Sequence, residues 1–341
     1  MERVMILILC CGIWLLVTCA TIARIVLYAT ATPCEESLKE DLAAVHSVYE
    51  PPIHFFRSKD VEEYYEATTA REYRWLQWVV GPGMHTILSA PSPISYQGRG
   101  TRQAALVLAE VRAIGAQRVL EIGCGRGFCT LFLAGAAPDV KFEGVDLLAQ
   151  HIQTARTTAA AGGLCSATFH VADANVMKRT HQMYDLIFGC EALNYVGADT
   201  FFRRLARLLR PGGRLVVIDG FRSRTFNTCH ENQQRAMILA ESAFHINAMH
   251  SKGRWIRRGK AAGFNLIRNI DLTKEAEPFW TLGWRLVRYF LCFPNALRWY
   301  MGTHPHRTKT VENLVAICMV SHALRNRAAA EYGMLVLGKW C

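Results

Sequence analysis

The sequence lacks a cysteine framework. Its twelve cysteines, at 10, 11, 19, 34, 124, 129, 165, 190, 229, 292, 318 and 341, follow neither disulfide nor zinc spacing, which excludes a stapled secreted scaffold and a zinc module. A chain of 341 residues can bury a core without cross-links, and scattered thiols suit a reducing compartment. Also missing are a phosphate loop with its Lys-Ser/Thr, the dinucleotide spacing Gly-x-Gly-x-x-Gly, internal repeats and low-complexity tracts. Lys and Arg outnumber Asp and Glu by 39 to 28, a net charge of +11, yet no recognition motif accompanies the surplus, which argues against nucleic acid as a partner. The basic residues cluster at Arg203, Arg204, Arg207 and Arg210 and again at Arg254, Arg257, Arg258 and Lys260. Beside a membrane segment such charge attracts anionic headgroups; otherwise it is a solvated helix face.

Residues 4–23 carry no charge at all. As a helix these twenty residues reach about 30 Å, the thickness of a bilayer's hydrocarbon core. Arg3 and Arg24 flank the run, and apolar sequence continues to Ala31 before Pro33. A cleaved signal peptide is the rival, with Ala29-Thr30-Ala31 as its cleavage site. The run is longer than the roughly 7–15 apolar residues of a secretory signal, so residues 1–32 are expected to be an uncleaved, single-pass transmembrane anchor. Its flanking charges are too balanced to orient it. Cysteine usage places the remainder on the cytosolic side, at the endoplasmic reticulum or another endomembrane.

What the chain does have is the stretch Arg118-Val-Leu-Glu-Ile-Gly-Cys-Gly-Arg-Gly127. Val119, Leu120 and Ile122 around Glu121 read as a buried parallel strand, and Phe128–Ala137 reads as the helix it feeds. Gly123, Gly125 and Gly127 at the turn let the backbone approach a ligand in conformations a Cβ forbids. Lys141–Val145 reads as a second strand ending in Asp146, and Phe169–Ala172 as a third ending at Asp173. Tyr184–Gly189 reads as a fourth strand. A helix over Arg203–Leu209 stops at Arg210-Pro211-Gly212-Gly213, and Arg214–Ile218 follows as the fifth strand. Glu121 suits either a ligand or the N-terminus of the following helix. Asp146 suits a ribose, as in nucleotide-binding α/β folds, or an N-cap near Ala149. Cys124 and Cys129 read as small packing residues.

The motif at 118–127, the acids Asp146 and Asp173, Asp185-Leu-Ile-Phe188 and Leu208-Leu-Arg-Pro-Gly-Gly-Arg-Leu215 together resemble class I S-adenosylmethionine-dependent methyltransferases. The resemblance implies an α/β, Rossmann-like seven-stranded sheet, with S-adenosylmethionine held by Glu121, Gly123, Gly125, Gly127, Asp146, Asp173 and Cys190, and no metal. It covers about residues 100–220, and residues 250–270 and 330–340 more loosely as the last two strands. The expected organisation is an anchor at 1–32, a helical cap at 33–100 and a methyltransferase domain at 101–341, with lid insertions near 221–250 and 271–330. Within the cap, the aromatic stretch Asp60–Trp78 with its Tyr64-Tyr65-Glu66 is similar to the helix that closes over the cofactor in sterol and tocopherol methyltransferases. The following loop, Met84-His85-Thr86-Ile87, departs from their His-Phe-Gly signature.

Phe279–Met301 is dense in aromatic and aliphatic residues, broken by Pro294 and interspersed with Arg285, Arg288 and Arg298. It suits the bilayer interface, with arginines snorkelling, or a lid packed on the core. Either way a greasy wall stands beside the methyl donor, and a hydrophobic acceptor follows: a sterol, prenyl-quinol or other isoprenoid. Candidates for chemistry lie after the fourth strand: Glu191, which matches a carboxylate of the sterol and tocopherol enzymes, then Asn194 and Tyr195. His85 is a further candidate; Tyr96 and His245 are weaker ones. The alternative functions are a tethered methyltransferase of a water-soluble amine or phosphobase, and a scaffold without catalysis, against which the intact Glu121, glycine turn and Asp146 speak.

Overall fold

The computed structural model describes residues 31–52, 55–69, 85–88, 100–177, 183–196, 198–291, 294–303 and 308–340. The apolar run 4–23 and Tyr96 lie outside these, as does the second half of the expected Asp60–Trp78 helix. Among the described residues no helix is long and apolar enough to cross a membrane.

Seven strands form one sheet: β1 (Arg118–Ile122), β2 (Lys141–Asp146), β3 (Ala167–Val171), β4 (Tyr184–Cys190), β5 (Leu209–Arg222), β6 (Phe264–Asp271) and β7 (Ala330–Lys339). Their order is β3-β2-β1-β4-β5-β7-β6. All run parallel except β7, which is antiparallel to both neighbours. The chain turns back at β1 and crosses to β4. Such a switch opens a crevice at the carboxyl ends of the strands, where ligands of open α/β sheets bind. This is the Rossmann-like methyltransferase architecture.

Alternate side chains of the central strands serve opposite faces of the sheet. On β5, Val216 and Ile218 join one core with Leu186 and Phe188 of β4, while Leu215 and Val217 join the other with Ile187. The first core holds α1 (Glu35–Val48), α3 (Arg102–Ala113), α4 (Phe128–Ala136), α7 (Glu231–Ala243), α9 (Thr273–Leu291) and α11 (Thr308–Leu324). The second holds α6 (Ala198–Leu208) and α8 (Lys252–Ala261). The arginine-rich helices α6 and α8 therefore lie across the sheet from the inserted helices. The remaining described helices are α2 (Ser58–Thr69), α5 (Ala149–Ala161) and α10 (Pro294–Thr303).

Element ends differ from expectation where long-range pairing extends them. β3 begins at Ala167, because Ala167 and Thr168 pair with Phe142 and Glu143, and Asp173 lies two residues beyond its end. β5 runs past Ile218 because β7 pairs with it out to Arg222. Upstream, Leu209 faces Tyr184 and Arg214 faces Leu186, so residues 210–213 loop out of the ladder. Gly213 is required there: an added Cβ would stand 2.9 Å from the Asp185 carbonyl oxygen. The inserted helices break at Pro294, which opens α10 with the φ it already holds.

A buried ionic knot joins the N-terminal helix to the insertion. Asp41 of α1, 2% exposed, accepts from Trp284 Nε1 at 2.7 Å and pairs with Arg288 Nε at 3.1 Å and His322 Nε2 at 2.7 Å. The ligand-type atoms of Asp41, Cys318 and His322 lie within 4.8 Å of one another. Trp284 and Arg288 each engage one of the two carboxylate oxygens, so the group is tied together as an ion-paired knot. Removing one partner of a buried pair strands the other charge. Asp41→Ala is expected to destabilise the full-length protein by roughly 3–5 kcal/mol in denaturant unfolding, and Asp41→Ala/His322→Ala by less than the sum of the single variants.

Candidate active site

The loops after β1, β2, β3 and β4 open into a cleft enclosing about 1130 Å³ of empty space, its mouth included. Helix α2 and His85 cover it, through Val61, Glu62 and Tyr65. Of the residues expected to form the site, Glu121, Gly123, Gly125, Asp146, Asp173, Cys190, Glu191, Tyr195 and His85 all line the cleft. Gly127 does not.

The glycine turn has a backbone that other residues resist. Gly123, Gly125 and Gly127 have φ of 69°, 53° and 83°, in the left-handed region where a Cβ is strained. A Cβ on Gly123 would stand 2.3 Å from Ala192 Cβ, and one on Gly127 2.8 Å from the Phe169 ring. Gly127 is thus a packing residue at the start of α4. Hydrogen bonds stitch the turn to β2: the N–H groups of Gly123 and Cys124 donate to Val145 O, and Gly125 N–H donates to Asp146 Oδ2 at 2.8 Å.

The acids of the site have defined partners. Asp146 Oδ1 accepts from Leu148 N–H at 3.0 Å and lies 3.3 Å from His151 Nδ1. It holds the turn into α5 while facing the cleft, but the N-cap of that helix is Leu148 and not Asp146, so of its two expected roles only the one facing the cleft is compatible with its position. Glu121 is 3% exposed, and its Oε2 accepts from Thr130 N–H at 3.0 Å and Thr130 Oγ1 at 2.5 Å. It caps α4 from the preceding strand while also lining the cleft. Burial pushes its carboxyl up to about 8, against the pull of the Thr130 bonds. Asp173 accepts from Asn175 N–H at 2.7 Å, an Asx turn.

Glu191 has φ 54°, a strained conformation for a residue with a side chain. Its Oε1 accepts from Thr86 N–H at 2.8 Å, Gln103 Nε2 at 3.1 Å and Tyr332 OH at 2.5 Å. Among the described residues the carboxylate neither caps a helix nor pairs with an arginine; it joins the segment before α3, α3 itself and β7 at the wall of the cleft. Burial and the Glu191 charge hold the Tyr332 phenol well above its ordinary range. His85 Nε2 lies 3.1 Å from Gly100 O, and burial lowers the pKa of its ring. Tyr195 OH donates to Phe244 O at 2.9 Å and accepts from Tyr65 OH at 3.0 Å, closing the cleft with a pair of phenols. Cys190 lies against Cys129, and this contact and burial push its thiol well above the ordinary range.

The remaining candidates lie elsewhere. Asn194 donates to Asp219 Oδ1 at 2.7 Å and Gly220 O at 2.9 Å and does not line the cleft. His245 is packed between the rings of Phe56 and Tyr64, at 4.5 and 4.6 Å, with Nε2 2.9 Å from Glu312 Oε2. Sequence reading missed Asp219, which burial and the Glu191 charge push up to about 8, together with the Glu191 donors Thr86, Gln103 and Tyr332. Asp219 carries a local signal, being an acid after a strand-like run as Asp146 is. The three donors come from distant stretches and carry none.

A nucleoside cofactor fits these residues: a turn with glycine at 123 and 125 where the backbone borders the cleft, and carboxylates facing the cleft at the end of β2 and just beyond β3. Residues 119–213 match the profile of a methyltransferase domain. The chain is 32% identical over 160 residues to phosphoethanolamine N-methyltransferase 3 of Arabidopsis thaliana, a match covering 47% of this chain and 31% of that protein. The chain thus spans less than two thirds of this relative. Among solved structures, the [4+2]-cyclase SpnF superposes with a TM-score of 0.63 at 18% identity, over 85% of this chain and 98% of that one. Geranyl diphosphate C-methyltransferase from Streptomyces coelicolor A3(2), solved with geranyl diphosphate and S-adenosyl-L-homocysteine, superposes at 0.58 and 15% identity, over 82% and 97%. One neighbour is a cyclase and the other a C-methyltransferase, so likeness at this level shows the fold and not the reaction. Turn, acids and domain match agree: residues 119–213 carry a methyltransferase domain, with S-adenosylmethionine as its cofactor.

Proposed function

We propose that the protein is a membrane-anchored methyltransferase, its catalytic domain facing the cytosol, that methylates a hydrophobic small molecule such as a sterol, prenyl-quinol or other isoprenoid. The observation that carries this reading is the cover of the cleft. Val61, Tyr65, Phe128, Tyr195 and Val196 line it beyond the cofactor loops, and the charge-free run 4–23 supplies the anchor. The second reading is a water-soluble amine or phosphobase acceptor. Two observations favour it: the relative named for phosphoethanolamine, and the acids Glu62, Asp146, Asp173 and Glu191 around the cleft, which would attract a cation.

Bound S-adenosylmethionine supplies a methyl group on a sulfonium. The chain contributes alignment and the exclusion of water, the main sources of acceleration for an in-line displacement. Tyr65 and Tyr195, bonded to each other, are the closing pair. Glu191 either accepts the proton of a phenolic acceptor or faces the positive charge that develops on an alkene. The left-handed backbone and the three bonds to Oε1 hold it in place. His85, which lines the cleft with its ring pKa lowered by burial, is a second candidate proton acceptor.

Labelled methyl transfer by full-length protein should appear in a total lipid extract and not in an aqueous metabolite pool; label confined to the aqueous pool would establish the second reading. Gly123→Ala, a strained residue against Ala192, should lose at least tenfold in affinity for S-adenosylhomocysteine by calorimetry while keeping its circular dichroism, a loss on the scale of one charged hydrogen bond. Glu191→Gln keeps the shape and removes the charge. Its turnover on the true acceptor should fall about a hundredfold with cofactor affinity unchanged, and near-normal turnover would leave Glu191 a purely structural tie.

A further inference from the structure

We propose that the outer face of α9 and the adjoining α10 lie on the surface of the lipid bilayer, holding the catalytic domain against the membrane; this rests on the anchor reading of residues 4–23. α9 is apolar on two sides. Its inner side buries Trp284, Val287 and Leu291, at 0, 4 and 2% exposure. Its outer side presents Leu282, Leu286 and Phe290, at 52, 50 and 51%. Those three are four residues apart and share one helix face. On α10, Trp299 is 69% exposed. A surface helix normally turns polar residues outward, so an apolar outer stripe marks a surface that meets something other than water.

The path of the chain identifies the occupant. Arg285, between Leu282 and Leu286 on α9, donates from Nε to the carbonyl oxygen of Ala31 at 2.7 Å. Ala31 ends the apolar stretch that contains the charge-free run. Seven residues, 24–30, separate it from Ala23, at most about 30 Å of extended chain. If residues 4–23 cross a bilayer, the middle of α9 is held near its surface. α9 itself does not cross, since no described helix is long and apolar enough. A helix whose outer face is apolar, with a tryptophan nearby, suits the interfacial plane of a bilayer. The other surplus of positive charge, on α6 and α8, is across the sheet and faces away from this surface.

The face is tested in full-length protein reconstituted into phosphatidylcholine–phosphatidylserine vesicles. p-Benzoylphenylalanine is placed at Leu286, at Trp299, or at the exposed Arg257 of α8 as a control. Irradiation should give phospholipid adducts at Leu286 and Trp299 at least tenfold above those at Arg257. Adducts to a second copy of the chain, adducts to residues 4–31, or lipid adducts no greater than at Arg257 would each overturn the proposal. Alkaline carbonate extraction separates the two readings. Protein that stays in the pellet without lipid adducts keeps its anchor and loses the docking face, whereas release of full-length protein removes the anchor itself. A Leu282→Asp/Leu286→Asp variant should keep its affinity for S-adenosylhomocysteine and its carbonate resistance while losing the adducts at Trp299; retained adducts there would also count against this face.

Discussion

The site depends on one hydrogen bond from a backbone amide to a side chain: Gly125 N–H to Asp146 Oδ2. β1 and β2 are adjacent parallel strands, and their loops leave the sheet at the same edge. The carboxylate at the tip of one strand therefore meets the turn that leaves the other. Three left-handed glycines make that turn possible, and the acid holds it. A carboxylate so placed supports the next helix and faces the cleft at once, because its two oxygens point to different partners. Glu121 repeats the device one strand away, accepting from Thr130 in α4 while its carboxyl, raised by burial, forms part of the wall.

Above this floor the covering parts are tied down by polar contacts between distant stretches of chain. Glu191 draws Thr86, Gln103 and Tyr332 to a single oxygen. Asp41 draws Trp284, Arg288 and His322 around one carboxylate. Tyr64 bonds Asn313 on α11, and Tyr65 on the same helix bonds Tyr195 at the cleft. The N-terminal helices and the insertion between β6 and β7 thus grip each other as well as the core. Such ties are costly to half-satisfy in a dry interior, which favours keeping the covering parts together. A cover of this kind excludes water from a displacement that needs little else.

Periodicity and punctuation in the sequence determined most of the sheet and the cofactor turn. β1, β2 and β4 are short buried runs ending in Gly, Asp or Cys-Glu, and both the apolar pattern and the glycine spacing are local properties that survive without tertiary context. Pro294 marked the break between α9 and α10 for the same reason: a fixed φ acts on its own neighbours. The acids at the strand tips were legible because topology brings the carboxyl ends of parallel strands to one edge.

Tertiary structure alone decided the ends of β3 and β5, which follow their partner strands, and the fate of the acids and histidines. Asp219 and Asp146 look alike in sequence, yet one turns toward Asn194 beneath the cleft and the other faces into it. His245 and His85 are both lone histidines beside aromatic residues; one is stacked away from the cleft and the other lines it. Gly127 reads as the third member of a ligand turn, but its space is filled by Phe169 and Ala155. In each case the deciding neighbour lies tens or hundreds of residues away along the chain. Local pattern encodes which residues are buried and which turn; what a side chain faces is set by contacts that only the folded chain brings together.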